Sequence, residues 1–319
     1  MKITLLNPLE VKEEIILDNK NKLEKLGHEF NYYDSLAKDD DEIIERLKDS
    51  DIAIITNKPL SSNVICNCKN LEMIDVAFTG VDHVNLDSVK ENGITLLNAS
   101  GYSDDSVAEL VIGLTIAVMR RFNENRKNIF DDENNSLMGE TLKGKKFGIV
   151  GTGNIGIKLI ELLQVFGCDI LAYSRTEKED VKAMGVKYVD LDTLLKESDI
   201  VSLHIPNNNQ TKGFLGKDEL DKMKDNAILI NCARGSVVDN DYLAKLLNED
   251  KLRAGIDVFD MEPPLPKDYP LRNAKNVILT NHVAFYTKEA MENRAEIVFD
   301  NIYQYLDGNV INEIKLWIR

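Results

Sequence analysis

Three glycines within six residues, Gly151-Thr152-Gly153-Asn154-Ile155-Gly156, form the sharpest chemical signal in this chain. The apolar run 147–150 ends directly at Gly151, and Ile155, Leu159, Leu162 and Leu163 set a helical period straight after it. A strand, a glycine turn and a helix start, in that order, make a seat for a pyrophosphate. The first N–H groups of a helix have no acceptor within it and attract an anion. Gly151 permits the tight turn, Gly153 lets phosphates approach the backbone, and Gly156 lets helix and strand pack closely. The expected ligand is a dinucleotide, with Thr152, Asn154 and Ile155 completing the loop.

The next strand ends at Tyr173-Ser174-Arg175-Thr176. An NAD site usually carries an acid near this point for the ribose hydroxyls. Here Ser174 stands instead, and Arg175 can pair with a 2′-phosphate through its planar fork. Glu177 and Glu179 fall further on, past the ribose. NADP is therefore expected over NAD.

Three more segments follow strand-like runs, on the edge where open α/β sheets hold ligands. They are Asn231-Cys232-Ala233-Arg234-Gly235, the run 255–264 from Gly255 through Asp257 and Glu262 to Pro264, and Asn281-His282-Val283-Ala284-Phe285-Tyr286-Thr287. With Thr79-Gly80-Val81-Asp82, Gly101-Tyr102-Ser103, Val107-Ala108-Glu109, the glycine turn and Ser198-Asp199-Ile200-Val201-Ser202-Leu203-His204, the chain resembles the D-isomer-specific 2-hydroxyacid dehydrogenase family over nearly its whole length.

That resemblance implies an α/β protein with a Rossmann-type dinucleotide-binding domain inserted into a flavodoxin-like substrate domain, and a homodimer. Carried over by motif, Arg234 clamps a 2-oxo acid, His282 is the acid/base and Glu262 is its partner. Backbone N–H groups of Thr79, Gly80 and Val81 hold the substrate carboxylate. Asp257 lies near the nicotinamide, and His204, Ile205 and Pro206 line the cofactor cleft, with Thr211, Cys232 and Ala233 also assigned to the cofactor. Phe285 and Tyr286 line a substrate side-chain pocket. Thr56-Asn57-Lys58-Pro59 and the run 101–106 resemble the hydroxypyruvate and glyoxylate reductase (glycerate dehydrogenase) branch, whereas Ala284-Phe285-Tyr286-Thr287 resembles lactate and branched-chain members. Three positions depart from the family pattern: Asn281 where many members carry Pro, Ser174 in place of an acid, and no Trp in 123–143.

Residue chemistry supports the same reaction. Reducing a 2-oxo acid needs a hydride donor, a cation for the carboxylate and developing alkoxide, and a proton donor for that oxygen. Arg234 is permanently charged and binds in two-pronged fashion. His282 titrates near neutrality, and a Glu262 carboxylate on its other ring nitrogen favours the imidazolium needed for reduction. The alternative is a dinucleotide-sensing binding protein of corepressor type, for which no basic patch or long tail speaks. Formate dehydrogenases normally carry Gln beside the catalytic His, and Glu262 argues against that chemistry.

Positioning these residues requires two series of strands and helices. Runs 2–6, 52–56, 73–77 and 94–97 read as strands, with a helix over 11–26 stopped by Gly27; a parallel sheet covered on both faces follows. Runs 147–150, 170–173, 200–203, 227–231 and 277–280 read as a second set, with helices over 155–166 and 241–247. The stretch 123–146 lacks helical periodicity and reads as a long connection or oligomer arm. A helix over 288–306 has no following strand and returns to the first domain. The expected domains are 1–101 with 286–319, for substrate, and 102–285, for NAD(P).

Composition narrows the partners. The 319 residues carry 39 Lys and Arg against 54 Asp and Glu, a net charge of -15, which disfavours nucleic acid and anionic membrane as partners. Any anionic substrate needs a local pocket of positive potential within that field. The apolar run 107–119, interrupted by Glu109, is shorter than the roughly 20 residues of a spanning helix and reads as buried. No secretory leader is visible, and four scattered cysteines suit reduced thiols, so a cytoplasmic protein is expected. The Cys66-x-Cys68 pair lacks a second ligand pair, and no metal is expected.

Overall fold

Short strands that are apolar on both faces can be buried only between layers of helices. In the computed structural model, which describes residues 1–316, that requirement is met twice. Strands β1 (Lys2–Leu5), β2 (Glu29–Tyr32), β3 (Ile52–Ile55), β4 (Met73–Val76) and β5 (Thr95–Asn98) pair in parallel in the order β2-β1-β3-β4-β5. This is the flavodoxin-like order. Strands β6 (Lys146–Val150), β7 (Asp169–Tyr173), β8 (Lys187–Tyr188), β9 (Ile200–Leu203), β10 (Ala227–Asn231), β11 (Leu252–Ile256) and β12 (Val277–Leu279) form the second parallel sheet. Its order is β12-β11-β10-β9-β6-β7-β8. Counted from β6, that is the Rossmann order with one strand added at the edge.

The chain forms two compact units, Met1–Ser103 with the chain from Tyr286 onward, and Asp104–Phe285. The second is inserted into the first in sequence. Trp317, Ile318 and Arg319, part of the expected 286–319 segment, lie outside the described residues.

In the first unit the helix Lys288–Leu306 packs on β4 and buries Ala295, Val298, Phe299 and Ile302, with Phe299 5.9 Å from the Phe30 ring. Beneath it, Asn301 donates to Asp75 and to the Asn98 carbonyl, so one buried side chain ties β4, β5 and the helix together. In the second unit the apolar helix Asp104–Met119 packs against the helix Asn154–Val165 and against β10 and β11. Among the described residues no helix is long and apolar enough to cross a membrane.

One expectation is corrected. The stretch 123–146 is not without helix, because Phe122–Phe130 is helical. None of its residues is buried, so no apolar stripe exists to reveal its period. The strands β2 and β8, absent from the sequence reading, are edge strands with too few apolar residues to form a run.

Candidate active site

Strand register sets the site of the second unit. Val150 pairs with both Tyr173 and Leu203, Asn231 with both Leu203 and Ile256, and Ile256 with Leu279. Gly151, Ser174, His204, Cys232, Asp257 and Thr280 therefore each stand one residue past the same level, along one carboxyl edge. The β6–β9 pair is where strand order reverses, the place where open α/β sheets leave a crevice for ligand.

The glycine turn occupies that reversal point. Gly151 has φ 103°, and a Cβ there would lie 2.5 Å from the His204 carbonyl oxygen. A Cβ on Gly156 would lie 2.2 Å from the Gly151 oxygen. At Gly153, by contrast, a Cβ would meet nothing within 4 Å, so the loop is open on that side. Asp39, Ser61, Asn85, Asp190, Asp239 and Thr287 cap other helices with their side chains. The helix Asn154–Val165 starts at Gly153 with no side-chain cap and no acid in its first turn. Its leading amides are without a side-chain acceptor, an arrangement that suits an anion. Thr152 is buried, its hydroxyl accepting from Tyr188 at 2.9 Å.

The flanking loops fit a dinucleotide as well. His204 is half-buried beside Ser202 at 2.9 Å, and burial lowers its pKa to about 4, so the imidazole is neutral. After Ile205, the Thr211 hydroxyl donates to the Pro206 carbonyl and closes the loop 206–211. Inside that loop the buried Asn207 Oδ1 has no hydrogen-bond partner, an acceptor awaiting a donor. Arg175 is exposed past Ser174, and its Nη1 donates to Gln210 Oε1 at 2.8 Å. The nearby acids Glu177 and Glu179 both pair with Lys182.

Arg234, Glu262 and His282 follow the adjacent strands β10, β11 and β12. The Asn231 side chain shapes the arginine loop, accepting from the Ala233 N–H and donating to the Arg234 carbonyl. Arg234 is half-buried, its Nη1 donating to the Ala233 carbonyl at 2.8 Å. Cys232 is buried, and burial pushes its thiol well above the usual range, so it is inert. His282 Nδ1 stands 3.0 Å from Glu262 Oε2, and its ring meets Phe285 edge-on at 5.4 Å. The His282 side chain keeps 24% of its exposure, which leaves the ring accessible. A carboxylate on Nδ1 fixes the ring's orientation.

His282 has φ 53°, a costly conformation for a bulky residue. Asp257 sustains it. This wholly buried carboxylate accepts from the Thr280 hydroxyl at 2.6 Å, the Val283 N–H at 2.9 Å and the Ala284 N–H at 2.9 Å. Its backbone oxygen accepts from the His282 N–H. Asp257 thus holds both sides of the histidine turn, a part that Thr280 shares and that sequence reading missed. Such bonds join residues remote in the chain and leave no local pattern.

The first unit holds the remaining residues. Asn98 Nδ2 donates to the Thr79 carbonyl at 2.7 Å. Because a peptide is planar and trans, the Gly80 N–H faces away from that bond. Among the described residues the N–H groups of Thr79, Gly80 and Val81 donate to no protein acceptor. His83 is held by the Thr56 carbonyl at 2.8 Å. Tyr286 is 52% exposed and lines a groove with Lys12, Lys288 and Met291.

Comparison with known proteins identifies the family. Residues 112–284 match the family described as D-isomer specific 2-hydroxyacid dehydrogenase, NAD binding domain. A glyoxylate reductase of Thermofilum pendens is 37% identical over 88% of this chain and 86% of its own length. A D-3-phosphoglycerate dehydrogenase of Methanocaldococcus jannaschii is 36% identical over 85% of this chain but 53% of its own, so the chain spans about half the length of that relative. Among solved structures, an acyclic imino acid reductase in complex with NADPH and D-Arg superposes with TM-score 0.89 at 29% identity, covering 98% of this chain and all of that one.

Proposed function

The chain belongs to the D-isomer-specific 2-hydroxyacid dehydrogenase family, and on that premise we propose that it reduces a small 2-oxo acid, of the hydroxypyruvate and glyoxylate kind, reversibly to the D-2-hydroxy acid. The observation that carries this reading is the His282–Glu262 pair at 3.0 Å, on the same sheet edge as Arg234 and the open glycine turn.

A bound reduced nicotinamide supplies the hydride to the ketone carbon. Gly151, Gly153 and Gly156, with the first amides of the helix Asn154–Val165, hold its pyrophosphate, and the loop from His204 to Thr211 with Cys232 and Ala233 borders it. Arg234 fixes the substrate carboxylate and steadies the negative charge that develops on the ketone oxygen. Protonated His282 gives that oxygen its proton from Nε2, while Glu262 on Nδ1 keeps the ring oriented toward it. In oxidation the neutral ring takes the hydroxyl proton. The amides of Thr79, Gly80 and Val81 bind the carboxylate, and Phe285 and Tyr286 border the substrate side chain. Asp257 acts one step back, as the brace of the His282 turn.

NADP is the proposed coenzyme, because Arg175 is exposed beyond Ser174 and both neighbouring acids are held by Lys182. A cytoplasmic homodimer is the proposed setting. Ile129 at 74% exposure, Phe130 at 69% and Met138 at 93% are apolar side chains in want of cover, and sedimentation mass checks whether a second copy provides it.

A matrix of glyoxylate, hydroxypyruvate, pyruvate and phenylpyruvate against NADH and NADPH tests the reading. Coenzyme oxidation with at least one acid is expected. Coenzyme binding without turnover on any of them would instead mark a dinucleotide sensor.

A further inference from the structure

A guanidinium lies inside the first unit with most of its hydrogen-bonding capacity idle. Arg294, on the helix Lys288–Leu306, is 1% exposed, and its Nε and Nη1 have no acceptor among the described residues. Nη2 donates to the Leu9 carbonyl at 2.5 Å. The carboxylate paired with it, on Glu10, stands at 3.9 Å, beyond hydrogen-bond distance, with a half-exposed side chain. A buried charge satisfied so poorly destabilises a fold, and an apolar side chain of similar volume would fill the space at less cost. The fold therefore leaves Nε and Nη1 of this arginine unused.

Its surroundings indicate what would. The guanidinium carbon lies 4.8 Å from the centroid of the Phe78 ring. Phe78 immediately precedes Thr79, Gly80 and Val81, whose amides donate to no protein acceptor among the described residues. An anion-seeking loop and an under-used buried cation are thus one aromatic ring apart within the same unit. Tyr102 and Tyr286 lie near the guanidinium as well. Glu10 adopts φ 55°, a conformation rare outside glycine, on the residue that faces Arg294.

We infer that Arg294 selects the substrate by its side chain, binding a second carboxylate, so that the preferred substrates are short 2-oxo dicarboxylates. The inference rests on the reductase reading above. With the first carboxylate on the 79–81 amides, the second displaces the half-exposed Glu10 side chain and gives the idle nitrogens their acceptor. Arginine suits this task because its planar fork matches a carboxylate. It also supplies the local positive potential that a dianion needs near a chain of net charge -15.

Steady-state kinetics on oxaloacetate and 2-oxoglutarate, beside 2-oxobutyrate and 2-oxovalerate, tests it with wild type and Arg294→Met. Wild type is expected to favour the dicarboxylates in kcat/KM by about tenfold or more, and Arg294→Met to reverse that order through KM. The kcat on the monocarboxylates stays within about twofold, which a general loss of structure would not allow. Should Arg294→Met fail to fold, Arg294→Lys, which keeps the charge but not the fork, is expected to lower the same ratio. Monocarboxylate reduction with a ratio unchanged by either variant overturns the inference and leaves the reductase reading standing. Absence of turnover on every 2-oxo acid overturns both.

Discussion

Gly235 lies so close to Phe259 that a Cβ on the glycine would sit 1.8 Å from the Phe259 carbonyl carbon. Gly235 follows Arg234, and Phe259 stands three residues before Glu262. Backbone contact between these two loops sets the arginine beside the loop that carries the histidine's partner. Gly235→Ala is therefore expected to separate them. Activity should fall by about 10²-fold or more, as misplacement near the chemistry does. Kinetics paired with a thermal melt check this, and a folded Gly235→Ala protein of wild-type activity would disprove the contact's importance.

Asp257 is the brace of the catalytic turn. Asp257→Asn keeps the shape but replaces one acceptor with an NH2 donor, which then faces N–H groups that also donate. The His282 turn at φ 53° should relax, lowering kcat and the melting temperature together. Loss of activity with unchanged stability would mean that Asp257 acts directly on the ligand.

Coenzyme choice turns on Arg175. Arg175→Ala is expected to lower kcat/KM for NADPH by about tenfold or more while leaving NADH within about twofold, since only the former carries the 2′-phosphate. Retained NADPH preference would remove Arg175 from that task.

Stability should depend on pH through Asp75. Its carboxyl is 0% exposed and burial pushes its pKa up to about 8, against an ordinary value of 3.8. Between those values the folded state keeps a proton that the unfolded state has released. The unfolding free energy therefore declines as pH rises through this window. Asp75→Asn cannot ionise and keeps the oxygen that accepts from Asn301. Its melting temperature relative to wild type should rise from about pH 5 to about pH 8. A difference that stays flat would show that Asp75 is not the group responsible.

Much of this was legible in the chain because the signals are local. The glycine turn, the apolar strand before it and the helical period after it lie within twenty consecutive residues, and they form β6 and the helix Asn154–Val165 as read. The helix Phe122–Phe130 was hidden because none of its residues is buried and its half-buried face is polar, and β2 and β8 because edge strands need few apolar residues. What Asp257 does depends on bonds to residues more than twenty positions away. Arg294 carries no signal in the sequence, because its burial comes from elements remote in the chain.

Catalysis by this chain requires His282 as proton donor and acceptor, held by Glu262. The most direct measurement is kcat of His282→Ala on the best 2-oxo acid, with coenzyme affinity followed in parallel by nicotinamide fluorescence. A loss of about 10²–10⁴-fold with coenzyme affinity unchanged is expected. A folded variant that keeps turnover within tenfold of wild type would contradict it.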